Sequence, residues 1–221
     1  KFAKFDDCYL RMNMNLLEQF GIIPIDFNTL EAVLSAYRYP KDKISQMEKN
    51  GELIRLKKGL FIVSPDIHRM TISKELIANH LYGPSYISFE TALSFYKLIP
   101  ERVYTTRSMT LKRSRSFSTS LGNFDYTSAP KYYYPIGICQ EIVNDRYAYL
   151  IASPEKAICD MIMTTPGLRL QSVKAMKIYL EEDLRIDFSS VAAFDTKIIR
   201  QCIDAGRKKT ELTQLYKLLE R

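Results

Sequence analysis

The sequence is poor in residues that usually carry metal, disulfide or nucleophile chemistry. Its 221 residues include two histidines, His68 and His80, and four scattered cysteines: Cys8, Cys139, Cys159 and Cys202. No C-x-x-C pair occurs, so neither a zinc site nor a disulfide framework is predicted, and the sequence implies no cofactor. Cys159 lies in an apolar helical stretch without a paired histidine, which favours a buried structural thiol over a nucleophile.

Motifs typical of enzymes are also missing. The eight glycines form neither G-x-G-x-x-G nor a Walker loop. There is no Glu-x-Lys nuclease signature, and neither histidine has the spacing of a triad or metal site. The acidic run Glu181–Asp183 is interpreted as a solvated helix end. The sequence therefore predicts a protein that is not an enzyme; an unrecognised nuclease or transferase in residues 69–221 is the least supported alternative.

Long apolar runs are absent as well. No stretch approaches the eighteen or so residues of a membrane span, and the first residues lead into Asp6 and Asp7 instead of an apolar signal-peptide core. Scattered cysteines fit a reducing compartment. We therefore expect a cytoplasmic protein with no membrane partner.

Basic residues are in excess. The chain has 32 Lys and Arg against 25 Asp and Glu, a net charge of +7 and a pI near 9.1. This balance favours a polyanionic partner such as nucleic acid or an acidic protein face. Arg38–Lys58 contains seven basic and three acidic residues, and Arg102–Arg115 contains five basic residues and no acid.

The N-terminal region has the pattern of three amphipathic helices followed by a two-stranded ribbon. The predicted helices are Tyr9–Phe20, a second one running from an N-cap at Asp26 or Asn28 to Tyr37, and Pro40–Asn50. The predicted strands are Leu53–Lys57 and Leu60–Val63, joined by a turn at Lys58–Gly59. This order of elements predicts a winged helix-turn-helix over residues 1–65.

Residues 66–221 predict a second domain of mixed α/β structure with a helical part from about 166. Its predicted strands are Val103–Thr106, Ser116–Leu121, Phe124–Thr127, Ile136–Glu141 and Tyr147–Ile151, with hairpin turns at Gly122–Asn123 and Asn144–Asp145. Its predicted helices are Ser73–Tyr82, Phe89–Tyr96, a helix capped by Ser153, Gln171–Leu180, Thr196–Ala205 and Thr210–Arg221. The fold class predicted for the chain is therefore α+β.

The third helix is the main candidate for reading DNA. With Ile44 and Met47 as its buried face, Asp42, Ser45, Gln46 and Lys49 occupy the opposite side. Glutamine pairs bidentately with adenine, serine donates or accepts, and lysines suit phosphates or guanine. The predicted DNA-binding residues are Lys41, Lys43, Ser45, Gln46, Lys49, Arg55, Lys57 and Lys58. The alternative is a solvated helix face with an incidental basic balance.

A possible second basic patch consists of Arg102, Arg107, Lys112, Arg113 and Arg115. These residues are interleaved with serine and threonine, so they can hold phosphates or an acidic partner; a solvated β-loop is the alternative. The aromatic run Tyr132–Tyr134 suits stacking on single-stranded bases or, more commonly, packing.

Three segments in order resemble the AbiEi-like antitoxins, a family of transcriptional regulators in type IV toxin–antitoxin systems. The first, Asp42–Phe61, resembles the winged-helix end of that family. The second and third, Ser85–Leu93 and Ile151–Asp160, resemble its two downstream motifs. Together the resemblance covers most of the chain from Asp42 to Asp160.

The resemblance implies an antitoxin that represses its own operon through the N-terminal domain, with an antitoxin-type α+β domain after it. The family's toxin is a nucleotidyltransferase-like protein, counteracted without a stable toxin–antitoxin complex. For residues, the resemblance implies only the helix and wing as the contact to double-stranded operator DNA. The competing interpretation is a protein-interaction module, in which the winged helix is a scaffold and the basic β-region binds an acidic partner.

Overall fold

A computed structural model describes residues 17–187 and 194–220. These residues form helices and two β-sheets, so the chain has the predicted mixed α+β class. They divide into two compact units: the first extends to Leu81 and includes Thr119–Leu121, and the second comprises Tyr82–Ser118 and the residues from Gly122 onwards. Within the described residues, no helix has both the length and the apolar character needed to cross a bilayer.

The first unit combines four helices with a three-stranded antiparallel sheet in its described part. Its elements are β1 (Ile25–Asp26), α1 (Phe27–Val33), α2 (Pro40–Lys49), β2 (Leu53–Lys57), β3 (Leu60–Val63), α3 (Pro65–His68) and α4 (Lys74–Leu81). The strands lie in the order β1-β3-β2, with Ile25 opposite Phe61 and Leu53 opposite Val63. β3 therefore pairs with β2 on one side, as a hairpin, and with β1 on the other, and β1 leads directly into α1.

Local sequence explains where α1 and α2 begin. The Asp26 carboxylate accepts hydrogen bonds from the Thr29 backbone N–H at 3.0 Å and from its hydroxyl at 2.7 Å, so Asp26 is the N-cap of α1. Pro40 lies in the first turn of α2, where a backbone N–H would have no partner within the helix. The N–H that proline lacks therefore costs no hydrogen bond there. Gly59 has φ of +79°, the left-handed geometry that the tight β2–β3 turn requires.

An apolar cluster packs α1 and α2 against the sheet of the first unit. It contains the fully buried side chains of Leu30, Leu34, Ile44, Met47 and Phe61, among others. The helical spacing in the sequence therefore identifies Ile44 and Met47 correctly as the inner face of α2. The predicted helix Tyr9–Phe20 lies outside the described residues except for its last turn.

The second unit is built around a six-stranded mixed sheet. Its elements are β4 (Ser85–Ile87), α5 (Phe89–Phe95), β5 (Thr105–Thr110), β6 (Arg115–Thr119), β7 (Gly122–Ser128), β8 (Ile138–Val143), β9 (Tyr147–Ala152), α6 (Pro154–Thr164), α7 (Val173–Ile178) with a π-helical turn Tyr179–Asp183, α8 (Thr196–Ala205) and α9 (Lys209–Leu219). The strand order is β6-β7-β5-β4-β9-β8. β4 pairs antiparallel with β5 on one side and parallel with β9 on the other. It therefore lies in the interior of the sheet.

Several predicted boundaries are wrong. The second helix ends at Val33 and does not continue to Tyr37. The segment before it, predicted as a connector, contains β1, which exists through its pairing with β3. Gly122 and Asn123 lie inside β7 and not in a turn, and Val103 and Tyr104 precede β5. By contrast, Asn144 and Asp145 both have positive φ, as the predicted turn requires.

The predicted domain boundary at 65/66 and the division into compact units fall at different places. The four-residue helix α3 and the longer α4 follow residue 64, yet both belong to the unit that extends to Leu81. Ile77 and Leu81 of α4 are fully buried. The apolar side of α4 is therefore part of a packed interior.

Candidate nucleic-acid interface

Helix α2 has a buried apolar side and an exposed polar side. Ile44 and Met47 are 2% and 0% exposed, whereas Ser45 and Gln46 are exposed. Lys41 and Lys49 are also exposed, near opposite ends of the helix. The apolar anchors fix the rotation of α2, so its polar side chains have a defined direction.

The side chains on this polar side differ in how they are engaged. The Ser45 hydroxyl donates to the Lys41 carbonyl at 3.0 Å, a bond within the helix. The Lys43 ammonium lies 5.5 Å from the centroid of the Tyr37 ring, and the Lys41 ammonium lies 3.8 Å from the Glu31 carboxylate. Exposed ion pairs at such distances are weak.

The side chains of Gln46 and Lys49 form no hydrogen bond or ion pair with any residue in the described part of the chain. Both are exposed on α2. Their polar groups are therefore available to an external partner without breaking an internal contact.

Arg55 on β2 is held in place by Glu48 on α2. Its Nε donates to Glu48 Oε1 at 2.8 Å and its Nη2 donates to Oε2, so the guanidinium forms a bidentate pair. The same hydrogen bonds lower the pKa of Glu48 and raise that of Arg55. The Arg55 guanidinium also stacks 5.1 Å from the Phe61 ring centroid. Much of the charge of Arg55 is therefore compensated inside the protein.

Lys57 and Lys58 are adjacent in sequence but have different surroundings. The half-buried Lys57 donates its ammonium to the carbonyl oxygen of Leu81 at the end of α4. Lys58 is exposed at the tip of the β2–β3 hairpin. Of these two lysines, Lys58 is the one placed to contact an external anion.

A cavity of about 530 Å³ opens between α2 and the β2–β3 turn. Its apolar wall is formed by Phe27, Ile44 and Phe61, and its polar wall includes Ser45, Arg55 and Lys58. Three of the predicted DNA-binding residues therefore also line a concave site.

The five cations of the predicted second basic patch also differ in whether they are engaged within the protein. Arg107 donates to both oxygens of Glu90, at 2.8 and 2.6 Å, and stacks 4.2 Å from the Phe89 ring centroid. Arg102, Lys112 and Arg115 lie 4.8 to 5.5 Å from the ring centroids of neighbouring aromatic residues. Arg113 is exposed in the loop between β5 and β6. Arg107 is thus engaged with Glu90, whereas the other four present cations outward.

The second unit contains a buried ion pair that the sequence pattern does not predict. Lys156 and Asp160, one helical turn apart on α6, are both 0% exposed, with Nζ 3.1 Å from Oδ1. Lys156 Nζ also donates to the Tyr133 carbonyl at 3.1 Å. Asp160 Oδ2 accepts from Ser88 at 2.6 Å and from Tyr86 at 3.0 Å.

This cluster joins the two downstream segments of the family resemblance. Tyr86 and Ser88 belong to Ser85–Leu93, and Lys156 and Asp160 belong to Ile151–Asp160. The predicted N-cap is present as well: Ser153 accepts from the Lys156 N–H at 3.3 Å. These hydrogen bonds connect α6 to β4 and to Ser88, which follows it.

The aromatic run and the cysteines of the second unit are mostly packed. Tyr133 is fully buried over the Lys156 ammonium, whereas Tyr132 is 81% exposed. Cys159 is fully buried, as predicted for a structural thiol, and its hydrogen bond with Cys202, followed by its burial, raises its pKa. Within residues 17–187 and 194–220, no group of three or more His, Cys, Asp and Glu side chains is arranged to hold a metal ion.

No protein-family model matches the chain, and no curated protein is significantly similar to it.

Proposed function

We propose that this chain is a sequence-specific DNA-binding regulator whose first unit is a winged helix-turn-helix. Helix α2 enters the major groove, and the hairpin β2–β3 is the wing. The observation that carries this proposal is the outward side of α2, where Gln46 and Lys49 are exposed and unengaged while Ile44 and Met47 anchor the helix. A glutamine so placed can form two hydrogen bonds to an adenine edge.

The contacts to the DNA backbone come from lysines whose charges are available. Lys41, Lys43, Lys49 and Lys58 contact phosphates, whereas Arg55 and Lys57 hold the wing in place through Glu48 and Leu81. Four neutralised phosphates correspond to an affinity that falls about 150-fold between 50 and 200 mM salt. The wing residues remain part of the interface, but their replacement acts through the position of the hairpin.

The biological role we propose is that of the antitoxin in a type IV toxin–antitoxin pair, which represses its own operon and works in the cytoplasm. The resemblance of three ordered segments to the AbiEi-like family supports this role. The partner is a nucleotidyltransferase-like toxin, and no stable complex with it is needed. On this proposal the protein is not an enzyme, and the Lys156–Asp160 pair, which is sealed from solvent, fastens α6.

A second candidate function is favoured by one observation in the second unit. Tyr104 is 75% exposed beside the Arg102 guanidinium, and Arg113 is exposed in the next loop. An aromatic side chain among unpaired cations is typical of a protein-binding surface for an acidic partner. On this alternative, DNA binding is weak and independent of sequence.

The experiment that tests the proposal is a fluorescence-anisotropy titration of two labelled duplexes at two salt concentrations. One duplex is the region upstream of the protein's own gene and the other is its scrambled sequence. A preference of about a hundredfold or more for the native duplex supports a specific repressor. Equal, weak binding to both duplexes rejects it and favours the protein-interaction alternative.

The antitoxin role has its own test. The protein is co-expressed with a nucleotidyltransferase-like protein encoded next to it, and growth is measured. Recovery of growth supports the role; continued growth arrest with both proteins present in soluble form rejects it.

A further inference from the structure

The cavity in the first unit has the size and composition of a small-molecule site. Its volume of about 530 Å³ lies within the range of pockets that hold drug-sized organic ligands. Phe61 and Ile44, which form part of its wall, are 1% and 2% exposed, so these walls are fixed by the core and do not depend on mobile surface side chains. An apolar or aromatic group is the chemistry that such walls accommodate.

The polar side of the cavity carries positive charge. Lys58 is exposed at the hairpin tip, and Arg55 keeps its Nη1 outside the bidentate pair that engages Nε and Nη2 with Glu48. Glu48 does not line the cavity, and the residues that do line it in the described part of the chain include no carboxylate. An anionic group at this side gains the ammonium of Lys58 and the outward edge of Arg55, whose charge is already partly compensated by Glu48.

We propose that this cavity binds an amphipathic organic anion, with an aromatic or branched apolar body against the half-buried Phe27 and a carboxylate against Lys58 and the outward edge of Arg55. The ligand also prevents DNA binding, because Ser45, Arg55 and Lys58 are shared between the cavity and the proposed interface. This second part rests on the proposed function. The binding of the anion itself does not.

Direct binding is tested on the full chain without DNA. Amide ¹H–¹⁵N spectra are recorded during titration with 3-phenylpropionate, and with 3-phenylpropanol as its neutral counterpart. We expect saturable shifts confined to the cavity residues, with the carboxylate binding about tenfold more tightly than the alcohol. The absence of saturable shifts at Ser45, Lys58 and Gly59 overturns the proposal, and equal affinity for both probes overturns the anionic class of ligand.

Two neighbouring positions on α2 provide a matched pair of variants. Ser45→Phe places a ring in the cavity and is expected to abolish binding of 3-phenylpropionate, whereas Gln46→Phe adds the same ring outside it and leaves binding unchanged. Lys58→Gln keeps the hairpin and removes one cation, so the preference for the carboxylate over the alcohol falls. Retention of full binding by Ser45→Phe, with a dispersed native spectrum, contradicts the assignment of the cavity.

Competition is measured separately, as anisotropy of the bound native duplex during addition of 3-phenylpropionate. Release of DNA at the concentrations that saturate the cavity supports the shared site. If DNA stays bound when the cavity is saturated with 3-phenylpropionate, the proposed competition with DNA is wrong, although the cavity does bind its ligand. If the protein binds no duplex in the first place, the proposed function fails, and the cavity is judged on the direct titration alone.

Discussion

At the level of single residues, neighbouring cations of the same type have different roles because their local contacts differ. Lys57 and Lys58 are adjacent, yet one ammonium is hydrogen-bonded to the Leu81 carbonyl and the other is exposed. Arg55 is paired with Glu48, whereas Lys49 has no described partner. Net charge therefore overstates how many cations can contact DNA.

The two lysines of the hairpin provide a direct comparison. Lys58→Met should weaken binding to every duplex about equally and reduce the slope of log affinity against log salt by about 1, because one phosphate contact is lost. Lys57→Met should leave that slope unchanged and lower the free energy of unfolding by about 1 kcal/mol through the lost hydrogen bond. Anisotropy at several salt concentrations and urea denaturation measure the two effects. A reduced slope for Lys57→Met alone would reverse these assignments.

The buried pair on α6 also makes a prediction. Asp160→Ala leaves the Lys156 ammonium uncompensated in a sealed site, so we expect a loss of about 3–5 kcal/mol in the free energy of unfolding. The double variant Lys156→Met/Asp160→Leu removes both charges and should be less destabilised than Asp160→Ala. Urea denaturation of the three proteins checks this order. A fully stable Asp160→Ala protein would contradict a structural role for the pair.

At the level of secondary-structure elements, the sequence predicts what depends on local chemistry. Residue type alone predicts helix starts at Pro40, at Ser153 and at either Asp26 or Asn28, because an N-cap bond or a proline in the first turn needs only its own neighbours. The structure confirms Pro40 and Ser153 and selects Asp26. Strand β1 could not be identified in this way. Its two residues are a strand only because Ile25 and Asp26 pair with β3, a contact between distant parts of the chain.

The N-cap of α1 predicts a pH dependence. The Thr29 backbone N–H, and then its hydroxyl, lower the pKa of Asp26 below its ordinary value of 3.8. Since the unfolded chain takes up this proton first, the cap stabilises the protein above that value, and the contribution is lost as the pH falls through the lower folded pKa. Asp26→Ala should therefore cost about 1 kcal/mol near neutral pH and less once the pH has fallen below 3.8 towards the lower folded pKa.

The matched control for this cap is Asn28→Ala, which changes the other cap candidate in the sequence. Asn28 is exposed and does not cap α1, so its replacement should have little effect at either pH. Chemical denaturation at neutral and acid pH measures the change in the free energy of unfolding for each of the two variants. A loss for Asp26→Ala that does not change with pH would show that its charge is not involved.

At the level of the whole molecule, the structure brings together some of the residues that the sequence predicts for the DNA-binding site. The amphipathic pattern places Ser45, Gln46 and Lys49 on the exposed side of α2 because the pattern is a direct consequence of helix geometry. The same reasoning fails for Lys156 and Asp160. It assigns charged residues to solvent, whereas these two are buried because Tyr86, Ser88 and Tyr133 supply hydrogen-bonding groups from distant segments. Their one-turn spacing within an apolar helix was the available signal.

The division of roles between the two units can be tested through charge. If sequence is recognised by α2, replacement of the exposed arginines Arg102, Arg113 and Arg115 by glutamine removes only long-range attraction to DNA. It should lower the affinity for both duplexes by the same factor, so the ratio of native to scrambled affinity stays the same. The same anisotropy titration measures both quantities. Loss of the ratio in this variant would place sequence recognition in the second unit.

The central claim is that Gln46 on α2 reads a base, and the most direct test is a specificity profile. Affinities of the unmodified protein and of Gln46→Ala are measured for the native duplex and for each of its single-base-pair variants, with Gln171→Ala as an exposed control. We expect Gln46→Ala to lose about 1–3 kcal/mol on the native duplex and to become indifferent to one base pair only. An equal loss on every duplex, with the profile unchanged, would contradict it.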